Sequence, residues 1–126
     1  EDEPFDTIFV NAGATRVVPR WVESLNDGGR LLLPLTVGFS GSQVGAGRVL
    51  RVVRKDQQFE ARFVSFAAIG HCEGTRSDAG NATLRKSYAD GDADLVRSLR
   101  MNPHTADDEC WLHADDFCLS YRDGGE

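Results

Sequence analysis

Apolar residues along the 126-residue chain fall into short blocks separated by glycine, asparagine and aspartate. Phe5-Asp6-Thr7-Ile8-Phe9-Val10 is a β-branched and aromatic run closed by Asn11-Ala12-Gly13-Ala14. It predicts a buried strand ending in a tight turn of small residues. Pro19 suits the first turn of a helix, and Trp21, Val22 and Leu25 then share one face, with Val17 and Val18 just upstream. Asn26-Asp27-Gly28-Gly29 predicts the stop of that helix, because glycine takes the left-handed conformation needed beyond a helix C-terminus. Arg30-Leu31-Leu32-Leu33-Pro34-Leu35-Thr36-Val37 reads as a second buried strand, with Pro34 limiting the ladder near its end. Strand, helix and strand in this order predict a right-handed crossover between parallel strands.

Residues 38–47 hold four glycines and two serines, which predicts a flexible connection and the best lid over a site. Arg48-Val49-Leu50-Arg51-Val52-Val53-Arg54 and Phe59-Glu60-Ala61-Arg62-Phe63-Val64-Ser65-Phe66 flank the polar turn Lys55-Asp56-Gln57-Gln58, the pattern of an antiparallel hairpin. Residues 78–91 are rich in Gly, Asp, Asn and Ser and predict a loop with at most a turn of helix from Leu84 to Tyr88. Asp92 or Asp94 predicts the start of a helix carrying Leu95, Val96 and Leu99 on one face and ending near Asn102-Pro103. Cys110-Trp111-Leu112 and Phe117-Cys118-Leu119-Ser120-Tyr121 predict a small ribbon around His113-Ala114-Asp115-Asp116. There is no internal repeat.

A chain of this length has apolar material for one core. Its 40% hydrophobic and 27% charged residues are ordinary globular usage, which excludes disorder and fibrous structure. A net charge of -6 with scattered basic residues argues against binding nucleic acid. No apolar run has the length of a membrane-spanning helix, and the acidic start Glu1-Asp2-Glu3 is unlike a signal peptide, so the expected location is cytoplasmic. The cysteines, Cys72, Cys110 and Cys118, form an odd set without a C-x-x-C pair, which predicts free thiols. The chain begins at Glu1 and enters a strand almost at once, so it reads as a segment of a longer protein.

The succession Pro4-Phe5-Asp6-Thr7-Ile8-Phe9-Val10-Asn11-Ala12-Gly13-Ala14, then Leu25-Asn26-Asp27-Gly28-Gly29-Arg30-Leu31-Leu32-Leu33-Pro34-Leu35, then Arg62-Phe63-Val64-Ser65-Phe66, resembles protein-L-isoaspartate O-methyltransferases. Order and spacing carry the resemblance, since a Gly-Gly turn before an apolar strand is common to most class I methyltransferases. It implies an α/β fold, the C-terminal half of a Rossmann-like methyltransferase sheet. Parallel strands would be followed by an antiparallel hairpin and an irregular C-terminal extension. Residues 1–76 would be the C-terminal part of the class I methyltransferase domain. Residues 77–126, which match no motif of the family, would be an extension with one helix and the small ribbon.

The resemblance also implies methyl transfer from S-adenosylmethionine to a carboxylate, isoaspartyl-like, on a protein or small molecule. Such folds hold the cofactor at the C-terminal ends of their first strands, on a Gly-rich turn and an acidic side chain. This chain lacks such a turn, so cofactor binding is expected of the complete protein only, with the segment inactive alone. Asn11 stands where the family usually has Thr, Gly13 replaces Ala, Asn26-Asp27 replaces Lys-Pro and Ser65 replaces Pro. Two alternatives therefore stay open: a methyltransferase with a different acceptor, and a non-catalytic binding module that keeps the fold.

Asn11, Ala12 and Gly13, at the tip of the first strand, are candidate substrate-binding residues: the small side chains leave room and the Asn11 amide can donate to a carboxylate. Pro34, Leu35 and Thr36, at the matching end of the second strand, are candidates to flank the acceptor. Asp6 suits a turn, and Trp21 the core. His71, Cys72, His104, Cys110, His113 and Cys118 are zinc-type donors, but their irregular spacing predicts no metal. Asp107-Asp108-Glu109 and Asp115-Asp116 read as solvated charge runs. The free edge of the first strand predicts self-association of the isolated segment.

Overall fold

A computed structural model describes residues 5–38, 44–71, 76–102 and 104–123. Its elements are β1 (Phe5–Phe9), α1 (Pro19–Glu23), β2 (Leu25–Gly38), β3 (Val44–Lys55), β4 (Gln58–Gly70), α2 (Asp78–Asp90), a 3-10 turn (Ala93–Leu95), β5 (Ser98–Arg100), β6 (Cys110–His113) and β7 (Cys118–Ser120). The strands form a mixed seven-stranded sheet in the order β1-β2-β3-β4-β5-β7-β6. Only β1 and β2 pair in parallel; the other neighbours are antiparallel. Leu31, Leu33, Leu35, Leu50 and Val52 from the middle strands are inaccessible to solvent and anchor the core.

The expected β-α-β unit is present, with Pro19 at the start of α1 and Trp21 packed against the core. Its boundary differs from the expectation. α1 stops at Glu23, and Leu25 already pairs with Phe5. Asn26-Asp27-Gly28-Gly29 is not a helix stop but an excursion within β2, since the next pair is Thr7 with Arg30. Gly28 takes φ 81° there, a region costly for residues with a Cβ. Asp6 holds the excursion from β1 by accepting from Asn26 Nδ2 at 2.6 Å.

The lid expectation is corrected in part. Gly45 and Gly47 lie in β3; residues 39–43 fall outside the described residues. A Cβ on Gly47 would stand 2.0 Å from the Leu35 carbonyl oxygen, so this glycine serves close approach of two backbones rather than mobility. The β3–β4 hairpin follows the predicted turn, with Asp56 at φ 59° and its N–H donating to Asp27 Oδ1 at 2.9 Å.

The extension is neither irregular nor apart from the sheet. β5 pairs with β4 at Phe59 and Glu60, so the ladder continues into residues 98–120. The expected loop over residues 78–91 is helix α2. Gly80 and Asn81 weaken its intrinsic preference, but Ser77 caps it by accepting from Gly80 N–H at 2.9 Å. Asn81, Leu84 and Tyr88 then form one face, with Leu84 fully buried. The helix expected from Asp92 or Asp94 is a single 3-10 turn, and Leu99 is buried in β5 instead. Leu95, expected to share one helix face with Val96 and Leu99, is half exposed while those two are buried. The expected ribbon forms as β6 and β7. Among the described residues no helix is long and apolar enough to cross a membrane.

Candidate functional site

The parallel pair β1–β2 ends in a cluster of backbone contacts. After β1, Val10 N–H donates to Leu32 O at 3.0 Å, Ala14 N–H to Pro34 O at 3.0 Å, and Thr36 N–H returns to Ala14 O at 2.9 Å. Gly13 N–H donates to Gly70 O at 2.7 Å, so the turn after β1 is tied to the end of β4 as well. The fold thus brings Gly13, Pro34, Leu35 and Thr36 together, as strand order implies for two parallel C-terminal ends.

Their accessibility divides the six expected residues. Asn11 is exposed and Ala12 half-buried, whereas Gly13, Pro34, Leu35 and Thr36 are buried. Leu35 and Thr36 have no solvent-accessible surface. A Cβ on Gly13 would lie 2.1 Å from Thr36 Oγ1, so the glycine and the threonine are fitted to one another.

Arg76, which sequence reasoning missed, completes the cluster. Its Nη1 donates to Gly13 O at 3.0 Å and to Thr36 Oγ1 at 2.9 Å, and its Nη2 to Thr36 O at 2.8 Å and Asn81 Oδ1 at 3.2 Å. Asn81 Oδ1 also accepts from Gly38 N–H at 2.7 Å, and Arg85 donates to Gly38 O at 3.0 Å. One guanidinium therefore fastens the turn after β1, the end of β2 and the start of α2. The legible signal was Ser77-Asp78, a helix start directly after an arginine. The Thr36 hydroxyl is committed to Arg76, and Asn11 is the most exposed of the six expected residues.

An open, largely apolar groove of about 630 Å³ lies beside this cluster, lined among others by Val37, Arg48, Phe66, Arg85 and Tyr88. None of the six expected residues lines it. Tyr88 closes its floor: the hydroxyl donates to Leu35 O at 2.7 Å and accepts from Arg48 N–H at 3.1 Å. Burial pushes this phenol well above the usual tyrosine range, so it stays a neutral structural donor. The Arg48 guanidinium stacks 4.9 Å from the Phe66 ring centre and pairs with Asp94.

A parallel β-α-β unit running into antiparallel strands places the chain in the mixed α/β class. The family model "Protein-L-isoaspartate(D-aspartate) O-methyltransferase (PCMT)" matches residues 1–68, more than half of the chain, and the chain belongs to that family. Two curated relatives are protein-L-isoaspartate O-methyltransferases. That of Brucella anthropi is 40% identical over 58 residues, 46% of this chain and 24% of the relative. That of Pseudoalteromonas atlantica is 56% identical over 32 residues, 25% of this chain and 15% of the relative. The chain thus spans about a quarter or less of the length of the relatives it matches. A solved protein-L-isoaspartate O-methyltransferase superposes with a TM-score of 0.44 at 20% identity, covering 80% of this chain and 28% of that one.

Proposed function

We propose that the chain is the C-terminal part of an S-adenosylmethionine-dependent O-methyltransferase that acts on an isoaspartyl-type carboxylate in the cytoplasm. The observation that carries this reading is the family match over residues 1–68, which include β1, its terminal turn and β2. In the proposed reaction a carboxylate oxygen attacks the sulfonium methyl carbon in line, the carbon–sulfur bond breaks, and the cofactor leaves as a neutral thioether. Such a step asks for positioning and exclusion of water rather than acid–base groups. Asn11 is exposed at the tip of β1, where its amide can donate to the acceptor carboxylate. Ala12, half-buried next to it, leaves room for a peptide backbone, whereas Gly13 makes room for Thr36. Pro34, Leu35 and Thr36 support this edge from beneath rather than touching the acceptor. The cofactor is held by the remainder of a longer protein, and residues 1–126 are inactive alone.

The test has two arms. Calorimetry of the 126-residue chain with S-adenosylmethionine is expected to show no binding, and micromolar affinity would relocate the cofactor site into this chain. The longer protein is expected to transfer labelled methyl from S-adenosylmethionine to an isoaspartyl peptide, and Asn11→Leu to raise KM for that peptide about tenfold, the loss of roughly 1.4 kcal/mol for one hydrogen bond to a charged group. Transfer to other carboxylates but not to the isoaspartyl peptide would favour the different acceptor suggested by Asn11 and Gly13. Failure of the longer protein to bind cofactor would leave a binding module. Among the described residues β1 is an edge strand with Phe5 and Phe9 exposed, a template for further pairing. The isolated chain is therefore expected to self-associate, and light scattering showing a monomer at high concentration would refute this.

A further inference from the structure

The C-terminal hairpin gathers four of the six zinc-type donors that chain spacing scatters. The ligand atoms of His104, Cys110, His113 and Cys118 all lie within 4.8 Å of one another. His104 Nε2 is 3.4 Å and His113 Nδ1 3.7 Å from Cys110 Sγ, and the two imidazoles stand edge to face with centres 4.9 Å apart. Zinc–sulfur and zinc–nitrogen bonds of about 2.3 and 2.0 Å in a tetrahedron put ligand atoms about 3.3–3.8 Å apart, which matches both Cys110–histidine distances. The sulfurs of Cys110 and Cys118 are closer, at 2.7 Å.

The backbone explains how a Cys-x-x-His pair points one way. In a regular strand, residues three apart face opposite sides. β6, however, has a bulge between Cys110 and Leu112: Cys110 pairs with Ser120, Leu112 with Leu119 and His113 with Cys118. The extra residue returns His113 to the face of Cys110, and Cys118 lies directly opposite His113 on that same face. His104 enters from the preceding loop.

Two further observations point to a metal rather than to a chance cluster. His104 Nδ1 lies 2.9 Å from Asn102 O. As donor to that carbonyl, Nδ1 carries the proton and leaves the Nε2 lone pair free toward the cluster, the usual outer support of a metal-bound histidine. Arg100, directly opposite Cys118 on β5, is 8% exposed, and its Nε and Nη1 have no hydrogen-bond partner among the described residues. Its carboxylate neighbour, Asp107, is 3.9 Å away. A buried cation is costly when its donors are unmatched; Asp107 lies beyond hydrogen-bond distance, and a neutral Cys118 thiol adds no charge. A metal-held thiolate does.

We propose that His104, Cys110, His113 and Cys118 form a structural zinc site that fastens the loop at His104 to the β6–β7 hairpin. Four protein ligands leave no open position for a substrate, so the role is structural rather than catalytic. Each cysteine gives up its thiol proton to solvent as zinc binds, and the thiolate of Cys118 adds to Asp107 a second anion beside Arg100. A Cys110–Cys118 disulfide, the rival arrangement, would leave both histidines without a role and Arg100 with Asp107 alone. The proposal is independent of methyl transfer.

The test uses the whole chain under reducing conditions. Elemental analysis after zinc loading and gel filtration is expected to find about one zinc per chain. Cobalt is expected to give tetrahedral d–d bands together with sulfur-to-cobalt charge transfer in the near ultraviolet. Cys110→Ser is expected to lower metal content to background. Because loss of a ligand can also unfold the hairpin, His104→Cys supplies a second readout: it keeps four donors and is expected to raise the charge-transfer intensity about 1.5-fold, three sulfurs in place of two. Absence of bound metal, a cobalt spectrum without sulfur charge transfer, unchanged intensity in His104→Cys, or a Cys110–Cys118 disulfide that persists in metal-loaded chain would each overturn the assignment.

Discussion

Arg76→Leu is expected to destabilise the chain by about 2–4 kcal/mol, because it strands buried carbonyls and a hydroxyl that one guanidinium now satisfies. Its partners are Gly13 O, Thr36 O, Thr36 Oγ1 and Asn81 Oδ1, drawn from three separate segments. The loss is larger than for a surface ion pair because Thr36 is fully buried and cannot turn to water. Arg76→Lys is expected to recover less than half of it, since an ammonium cannot reproduce the planar fork. Urea titration monitored by tryptophan fluorescence would measure both. Equal stability of the wild type and the leucine variant would show that solvent replaces the guanidinium, and that the clamp is not what holds these segments together.

A second large effect is expected at Gly47. Gly47→Ala should cost about 3 kcal/mol, at the upper end of what overpacking usually costs. The obstacle is backbone: the added Cβ would sit 2.0 Å from Leu35 O and 3.1 Å from its carbonyl carbon. That oxygen already accepts the Tyr88 hydroxyl, so it cannot withdraw without loosening α2 from the sheet. At Gly13 the atoms met belong to the Thr36 side chain rather than to backbone, and the hydroxyl among them is held by Arg76. Ala46→Val, one residue away and exposed to the groove, is expected to change stability by no more than about 0.5 kcal/mol. Thermal melts of the two variants side by side would separate a steric cause from a general intolerance of β3. A Gly47→Ala protein as stable as the wild type would mean that β2 and β3 lie further apart than described.

These two sites explain why parts of the chain were misjudged from sequence. Glycines at 45 and 47 read as mobility because a sequence does not reveal that another backbone passes within contact distance. Residues 78–91 read as loop because Gly80 and Asn81 are poor helix formers, whereas the Ser77 cap and the burial of Leu84 outweigh that preference. Leu25 read as helical because it continues the face of Trp21 and Val22, yet its pairing with Phe5 takes it into the sheet. In each case a tertiary contact worth more than the local propensity decided the outcome.

The candidate site divides in the same way. Strand order alone implied that the ends of β1 and β2 meet, because parallel neighbours joined by a crossover bring their C-terminal ends to one edge. It could not reveal that Thr36 would be sealed under Arg76, forty residues further along. Nor could spacing show four zinc-type donors converging, since their alignment depends on one inserted residue in β6 that turns His113 toward Cys110. The apolar blocks, the punctuating glycines and the Pro-Phe-Asp and Gly-Gly motifs were sufficient in themselves for the β-α-β unit, the hairpin, the ribbon and the family. Which side chains are exposed, which are clamped and which share a face was left to the tertiary structure, because those properties come from contacts between segments that are distant in the chain.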